Sequence, residues 1–297
     1  MTKKAEYIGD NHPQVYGFEV GHIYLYRDFG RGVEVYYSKE GGTSLAMGYN
    51  MFNACFRGVE DKVFKKEGRL QHITFTGIDW KTDLNELSEI QKQYPYVEWG
   101  VLVSKNWKTN GNRYFNPSFI EALDSNLNLS AHMCGRIARE AVRGNLNPFL
   151  DWVNGYGYIF KRCQLNISGS ETNPEKFEYK GDLSDYFDEV ILQQKGVNNC
   201  DLFMKSKGNR HVSILLDASG GNGINTDIEL LNVRSKVGYA GGINADNVAE
   251  KLTYLEENCK TPYWIDMEAG VRTNDWFDTE KVRKVLEICD GIINKKK

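Results

Sequence analysis

The chain has 297 residues, 41% hydrophobic and 26% charged, with a formal net charge of -3. These are ordinary globular values, and the slight acidic balance argues against nucleic acid or an anionic membrane as the main partner. The length suits one large domain of roughly 220 to 250 residues with an appendage, or two ordinary domains. The six cysteines, Cys55, Cys134, Cys163, Cys200, Cys259 and Cys289, stand far apart without CxxC or Cys/His ligand spacing. That pattern favours reduced thiols in a cytoplasmic protein over a zinc site or a disulfide frame, and no metal or cofactor is expected. The opening residues, MTKKAEYIGDNHPQ, hold no apolar leader core, and no window approaches eighteen apolar residues. Neither secretion nor a membrane span is expected.

Residues 1–68 differ in texture from the rest. Aromatic and β-branched residues alternate with polar ones around Gly-rich turns, predicting a β-hairpin of 20–26 with 32–37. Two strands cannot bury both faces alone, so this extension is expected to cap the main domain or form a homo-oligomer contact. Tyr24, Tyr26, Tyr36, Tyr37, Tyr49 and Phe52 fit aromatic packing under such a cap, with a binding surface as the other reading.

From residue 69 to 297 the chain repeats strand, loop and helix. Strands are predicted at 72–76, 97–103, 127–133, 158–165, 189–193, 212–216, 237–240 and 263–267, with helices at 84–92, 117–122, 135–143, 245–257 and 279–289. Asp83 is the expected cap of the first helix. Eight such units fit a (β/α)8 TIM barrel with an N-terminal β-rich extension, and a doubly wound sheet is the rival arrangement. The barrel gathers chemistry beyond the strands, which places Thr76, Arg113, Met133, Gln164, Gln194, Asp217, Gly241 and Gly270 near one rim. Asp217 follows an apolar run beside a glycine cluster, where a carboxylate is either functional or a loop cap. Gly241 and Gly242 close another run and lead into a helix expected to open at Asn244. Glycines let backbone N–H groups approach a ligand, and a helix start adds positive charge, so a phosphate cradle is predicted there.

Three late motifs, Leu215-Leu216-Asp217 with Gly220-Gly221-Asn222-Gly223, Ala240-Gly241-Gly242-Ile243 with Asn247-Val248, and Ile265-Asp266 with Gly270-Val271, resemble phosphoribosylanthranilate isomerase. Earlier matches are Thr74-Phe75-Thr76-Gly77-Ile78, Asn112-Arg113-Tyr114-Phe115-Asn116-Pro117 and Gln164-Leu165-Asn166. The resemblance covers about residues 72–291 and implies a TIM barrel performing an Amadori rearrangement. In that reaction an acid protonates the furanose ring oxygen while a base removes the proton from the sugar's second carbon.

By the resemblance, Asp217 matches the acid and Arg113 the arginine facing the anthranilate carboxylate. Gly241, Gly242 and Gly270 match the phosphate site, and Gly221 and Gln164 join the substrate-binding set. The family's base is a cysteine, and Thr76 stands at that position; a threonine hydroxyl cannot act as a thiolate does. Cys134 and His132 at the end of the third strand and Asp79 just beyond the first are the candidate replacements, Cys134 above all if the dipole of the helix beginning at Gly135 lowers its pKa. Asp79 reads as a loop or capping carboxylate. Arg272 either adds positive charge beside the phosphate or points to solvent. Asp227, Asp266 and Glu268 near Asp217 read as hydrogen-bonded carboxylates rather than metal ligands. The expected ligand is a phosphorylated small molecule, phosphoribosyl or another sugar phosphate. Whether it is isomerised or only held, by a non-catalytic binder of a phosphorylated molecule or nucleotide, is left open by the residues.

Overall fold

The structure, a computed structural model, describes residues 69–109, 111–123, 126–167, 183, 185–196, 211–219, 223–231 and 236–294, together with the backbone of five N-terminal strands. Those five are β1 (Thr2–Tyr7), β2 (Ile23–Asp28), β3 (Val33–Tyr36), β4 (Ser44–Met47) and β5 (Phe56–Val59). They form an antiparallel sheet in the order β4-β3-β2-β1-β5. The hairpin expected from the alternation is the β2/β3 pair, with Leu25 opposite Tyr36 and Asp28 opposite Val33. The aromatic side chains singled out in this segment lie outside the described residues.

Eight further strands close a parallel barrel: β6 (Leu70–Thr76), β7 (Val97–Val103), β8 (Leu129–Cys134), β9 (Phe160–Asn166), β10 (Glu189–Gln194), β11 (Val212–Asp217), β12 (Val237–Ala240) and β13 (Tyr263–Met267). Their ends fall within two residues of the apolar runs in the sequence. The ring closes where β13 pairs with β6, Asp266 opposite Thr74 and Met267 opposite Phe75. Around it lie α1 (Leu84–Gln93), α2 (Gly135–Val142), α3 (Asn147–Val153), α4 (Val248–Asn258) and α5 (Thr279–Asn294). No helix among the described residues is long and apolar enough to cross a membrane. Asp83 caps α1 as expected, its carboxylate accepting from the Asn85 N–H at 2.9 Å. The segment Pro117–Ala122 is a 3-10 turn rather than an α-helix, with Pro in its first turn and Asn116 accepting from the Ser118 N–H.

Successive residues of a strand face opposite sides of the sheet, so each barrel strand carries two sets of side chains. One set, including Ile73, Phe75, Trp99, Val101, Ala131, Met133, Leu165 and Ile265, packs with Leu87, Ile90, Val285 and Leu286 of the helices in one apolar cluster. The alternate set faces the barrel axis and is strongly polar: Thr74, Thr76, Glu98, Ser130, His132, Arg162, Gln164 and Ser213 are all buried. Ile191, Leu215 and Trp264 make a small separate apolar cluster. Gly238 makes room for it, because a Cβ there would lie 2.2 Å from the Trp264 ring and 2.7 Å from a Leu215 methyl. Gly238→Ala is therefore expected to destabilise the barrel by about 1–3 kcal/mol through overpacking. Chemical denaturation reads this directly, and an unchanged midpoint would mean that the indole has other room.

Candidate active site

Above the interior layers the barrel opens into a cavity of about 280 Å³ at the carboxyl ends of its strands. Of the residues expected at the rim, Thr76, Arg113, Gln164, Asp217, Gly241 and Gly270 line it, as do Gly242 and Cys134. Met133 and Gln194 do not, which corrects the expected rim. Met133 packs in the outer apolar cluster, and the alternation brings their neighbours His132 and Gln193 to the cavity instead. Gly221 lies outside the described residues.

Asp217 ends β11 and is 5% exposed. Its Oδ2 accepts from Gln193 Nε2 at 2.9 Å, and its Oδ1 accepts from the Ser219 N–H at 3.1 Å and from Ser219 Oγ at 2.7 Å. The residue two places on thus closes a tight loop around the carboxylate, and the adjacent strand β10 fixes its other oxygen.

Beyond β12 the backbone turns through Gly241 (φ +121) and Gly242 (φ +63), a conformation that favours glycine. A Cβ on Gly242 would sit 2.4 Å from Asn225 N, and one on Gly270 2.2 Å from Ile243 O. Main chains therefore meet here at distances no side chain permits. The helix that follows begins at Val248, not at Asn244. Asn side chains take over the intervening backbone: the Asn244 N–H donates to Asn247 Oδ1 at 2.9 Å, and Asn247 Nδ2 donates to Gly242 O at 3.0 Å. The glycine turn is thereby pinned by side chains rather than by the expected helix start.

On the opposite side, Thr76 and His132 meet across β7. Gly100 allows it, since a Cβ there would come within 2.6 Å of Thr76 Oγ1 and 3.0 Å of His132 Nε2. Thr76 Oγ1 donates to Asp266 Oδ1 at 2.7 Å and lies 3.3 Å from His132 Nδ1; His132 Nε2 lies 3.0 Å from Ser130 Oγ. With Asp266 ionised, the threonine proton is committed to the carboxylate, so Thr76 accepts from Nδ1–H and Nε2 accepts from Ser130. Burial drops the His132 pKa to about 4, so the ring is neutral near pH 7. Burial likewise raises Asp266 to about 7, aided by the charges of Glu268, Asp217 and Glu98 and opposed by the Thr76 hydrogen bond.

Cys134 does precede α2, but the dipole does not govern it: burial pushes its thiol up to about 12, against hydrogen bonds from Asn166 and Tyr114. The thiolate proposed from the helix start is corrected on that ground. Gln164 Nε2 donates to Asn166 Oδ1 at 2.9 Å, while its buried Oε1 has no partner among the described residues.

Arg113 reaches the mouth but is already engaged, with NH1 2.8 Å from Glu268 and NH2 2.9 Å from Asp275. Arg272 neither lines the cavity nor points to solvent. It is 7% exposed, and it donates to Gly77 O at 2.6 Å, to Asp275 O at 2.7 Å and to Asp79 at 3.4 Å. Asp79 also accepts from the N–H groups of Lys81 and Phe277. The pair ties the loop after β6 to the hairpin β14 (Arg272–Thr273) and β15 (Trp276–Phe277). Among the described residues no group of three or more His, Cys, Asp and Glu side chains is arranged to hold a metal ion.

Sequence reasoning missed the Asp266–Thr76–His132–Ser130 chain. The signal was present as polar residues two apart in Thr74–Thr76 and Ser130–His132, beside an Asp in the last strand.

A family profile for N-(5'-phosphoribosyl)anthranilate isomerase matches residues 180–288. The chain is 34% identical over 92 residues to the N-(5'-phosphoribosyl)anthranilate isomerase of Listeria welshimeri serovar 6b, spanning 28% of this chain and 43% of that one. It is 25% identical over 196 residues to the enzyme of the same name from Streptococcus pneumoniae strain Taiwan19F-14, spanning 52% of this chain and 92% of that one. Among solved structures, TrpF from Jonesia denitrificans aligns with a TM-score of 0.48 at 18% identity, over 75% of this chain and 98% of that one. The chain thus spans less than half the length of the Listeria relative it matches. With the closed parallel barrel, the sequence likeness makes this chain a phosphoribosylanthranilate isomerase-like (β/α)8 barrel.

Proposed function

We propose that the barrel binds a phosphoribosyl or other sugar phosphate and isomerises it by acid/base chemistry, with Asp217 as the general acid. One observation carries this reading: the Asp217 carboxylate and the Gly241, Gly242 and Gly270 turns open on the same cavity. Backbone amides at such turns suit a phosphate, as TIM barrels build their anion sites beyond the last strands. A phosphate held there leaves the sugar ring within the space that Asp217, Thr76 and Asp266 also line. The buried Gln164 Oε1, without a partner among the described residues, supplies an acceptor for a hydroxyl or amine of the ligand.

A second reading, capture without turnover, is favoured by Arg113. The guanidinium that would meet an anthranilate carboxylate is already matched by Glu268 and Asp275, so a ring carboxylate has to displace one of them. Thermal-shift measurements with ribose 5-phosphate, phosphoribosylanthranilate, adenosine monophosphate and their dephosphorylated counterparts test the ligand class. Ligand at a hundred times Kd stabilises by about 2.7 kcal/mol, which is a rise of roughly 5–10 °C for a domain of this size. A shift that requires the phosphate supports the proposal, and equal shifts without it, or none, overturn it.

A further inference from the structure

The proposed isomerisation needs a base, and the residues offered for it from the sequence are unsuitable: Asp79 does not line the cavity, and burial leaves His132 a weak base with a pKa of about 4. Thr76 has no ionisable group near neutrality, and the Cys134 thiol is held protonated by burial. We infer that Asp266 is the catalytic base that takes the proton from the second carbon of the bound sugar, and that Thr76, His132 and Ser130 are positioning residues that orient it. The inference rests on the proposed phosphoribosyl-type ligand and assigns the proton acceptor of that site.

The geometry supports it in three ways. Asp266 lines the cavity and lies 2.7 Å from Thr76 Oγ1, so its carboxylate occupies the region that the resemblance allots to the base. Its pKa, raised to about 7, makes it a far better proton acceptor than a free carboxylate while leaving it about half ionised at neutrality and more so above. Finally, the hydrogen-bonded chain behind it serves both protonation states. When Asp266 is ionised, protons run from Ser130 to His132 to Thr76 to Asp266. When it has taken a proton, every member reverses: Asp266 donates to Thr76, Thr76 to His132 Nδ1, and Nε2–H to Ser130. Asp266, Thr76 and His132 keep their hydrogen bonds to one another in both states, and neutral His132 is what permits the reversal.

The step balances within the ligand. The acid's proton goes to the ring oxygen as the C1–O bond opens, leaving an iminium at C1. Asp266 takes the C2 proton; the C2–H pair becomes the C1=C2 bond, and the C1=N pair moves to nitrogen. The resulting enolamine tautomerises to the 1-amino ketose, with its enol proton released and C1 protonated. No oxidant or second substrate enters.

The charged and titratable groups around Asp266 set its profile: Glu268 just beyond its own strand, Asp217 from β11, Glu98 from β7 and Arg162 from β9, with His132 of β8 behind Thr76. The test uses full-length wild type, Asp266→Asn, Thr76→Ser and Thr76→Val with phosphoribosylanthranilate, measuring kcat and KM across the neutral pH range. Binding of a reduced, non-reacting product analogue is measured by calorimetry, and folding by circular dichroism. Wild-type turnover is expected to rise with pH through about 7. Asp266→Asn is expected to lose at least about a hundredfold in kcat while still binding the analogue. Thr76→Ser keeps the pH limb. Thr76→Val removes the donor that lowers the Asp266 pKa, so its limb moves to higher pH, which a merely structural threonine would not cause. Turnover retained by Asp266→Asn, or an unmoved limb in a folded Thr76→Val, overturns this inference alone. Wild type that binds without turnover overturns it in favour of capture, and wild type that does neither overturns the proposed function with it.

Discussion

Asp217→Asn is expected to reduce turnover of phosphoribosylanthranilate by about 10²–10⁴-fold, the range lost with a positioned general acid. The substitution is nearly isosteric, and the surroundings can absorb it. Ser219 still donates its N–H and hydroxyl to the remaining oxygen, and the Gln193 side-chain amide can turn to present its oxygen to the new NH₂. Analogue binding and the melting temperature should therefore change little while kcat collapses, because the proton at Oδ is what the reaction loses. Steady-state kinetics at several pH values, with calorimetry of the analogue, separate the two effects. A variant within tenfold of wild type would remove Asp217 from the chemistry and leave it as a loop-closing carboxylate.

The eight strands were legible because each apolar run stops at a polar or glycine-rich turn, and that local signal survives without any knowledge of neighbours. The glycine turn was legible for the same reason, since Gly241 and Gly242 sit together directly after a strand. The start of α4 was misplaced because Asn244 looks like a helix cap; in the fold it caps a turn, and Asn247 precedes the helix. What composition hid was the polar interior. Runs such as HITFT and LSAHMC read as generally buried, yet in a barrel their alternate residues face an axis shared with seven other strands. The contact between Thr76 and Asp266 spans 190 residues and exists only because β13 closes on β6. No window of sequence contains it. Arg272 was misread for a related reason: its partners Gly77 and Asp79 come from the loop after the first barrel strand.

The largest effect on stability is expected from Arg162, whose guanidinium lies 4% exposed in the barrel interior. NH1 is 2.9 Å from both Glu98 oxygens, Nε is 3.0 Å from Glu189, and the guanidinium carbon is 4.7 Å from the centre of the Trp264 ring. Glu98 also accepts from Thr74 and Glu189 from Ser213 and Lys236. Arg162→Met keeps much of the volume but leaves buried Glu98 without a cation and Glu189 with Lys236 alone, which costs about 3–5 kcal/mol. That is on the order of a 10 °C fall in Tm for a domain of this size. The pH dependence gives the sign. Burial alone would raise Glu189, yet Arg162, Lys236 and the hydrogen bonds from Lys236 and Ser213 hold it at about 2, below the unfolded value of about 4.3. Its stabilisation is therefore complete above about pH 4.3 and lost as pH falls through about 2. Without Arg162, burial gains the upper hand at Glu98 and weighs more against Lys236 at Glu189, so the carboxylates take up protons at higher pH, and protonation relieves the unpaired charge. The deficit of Arg162→Met relative to wild type should thus be greatest above neutrality and narrow as the solution is acidified. Urea midpoints of both proteins at alkaline, neutral and mildly acidic pH measure it. A deficit below about 1 kcal/mol, the worth of an exposed pair, or one that does not vary with pH, would show that the interior charges are solvated and that the polar layers of this barrel are not dry.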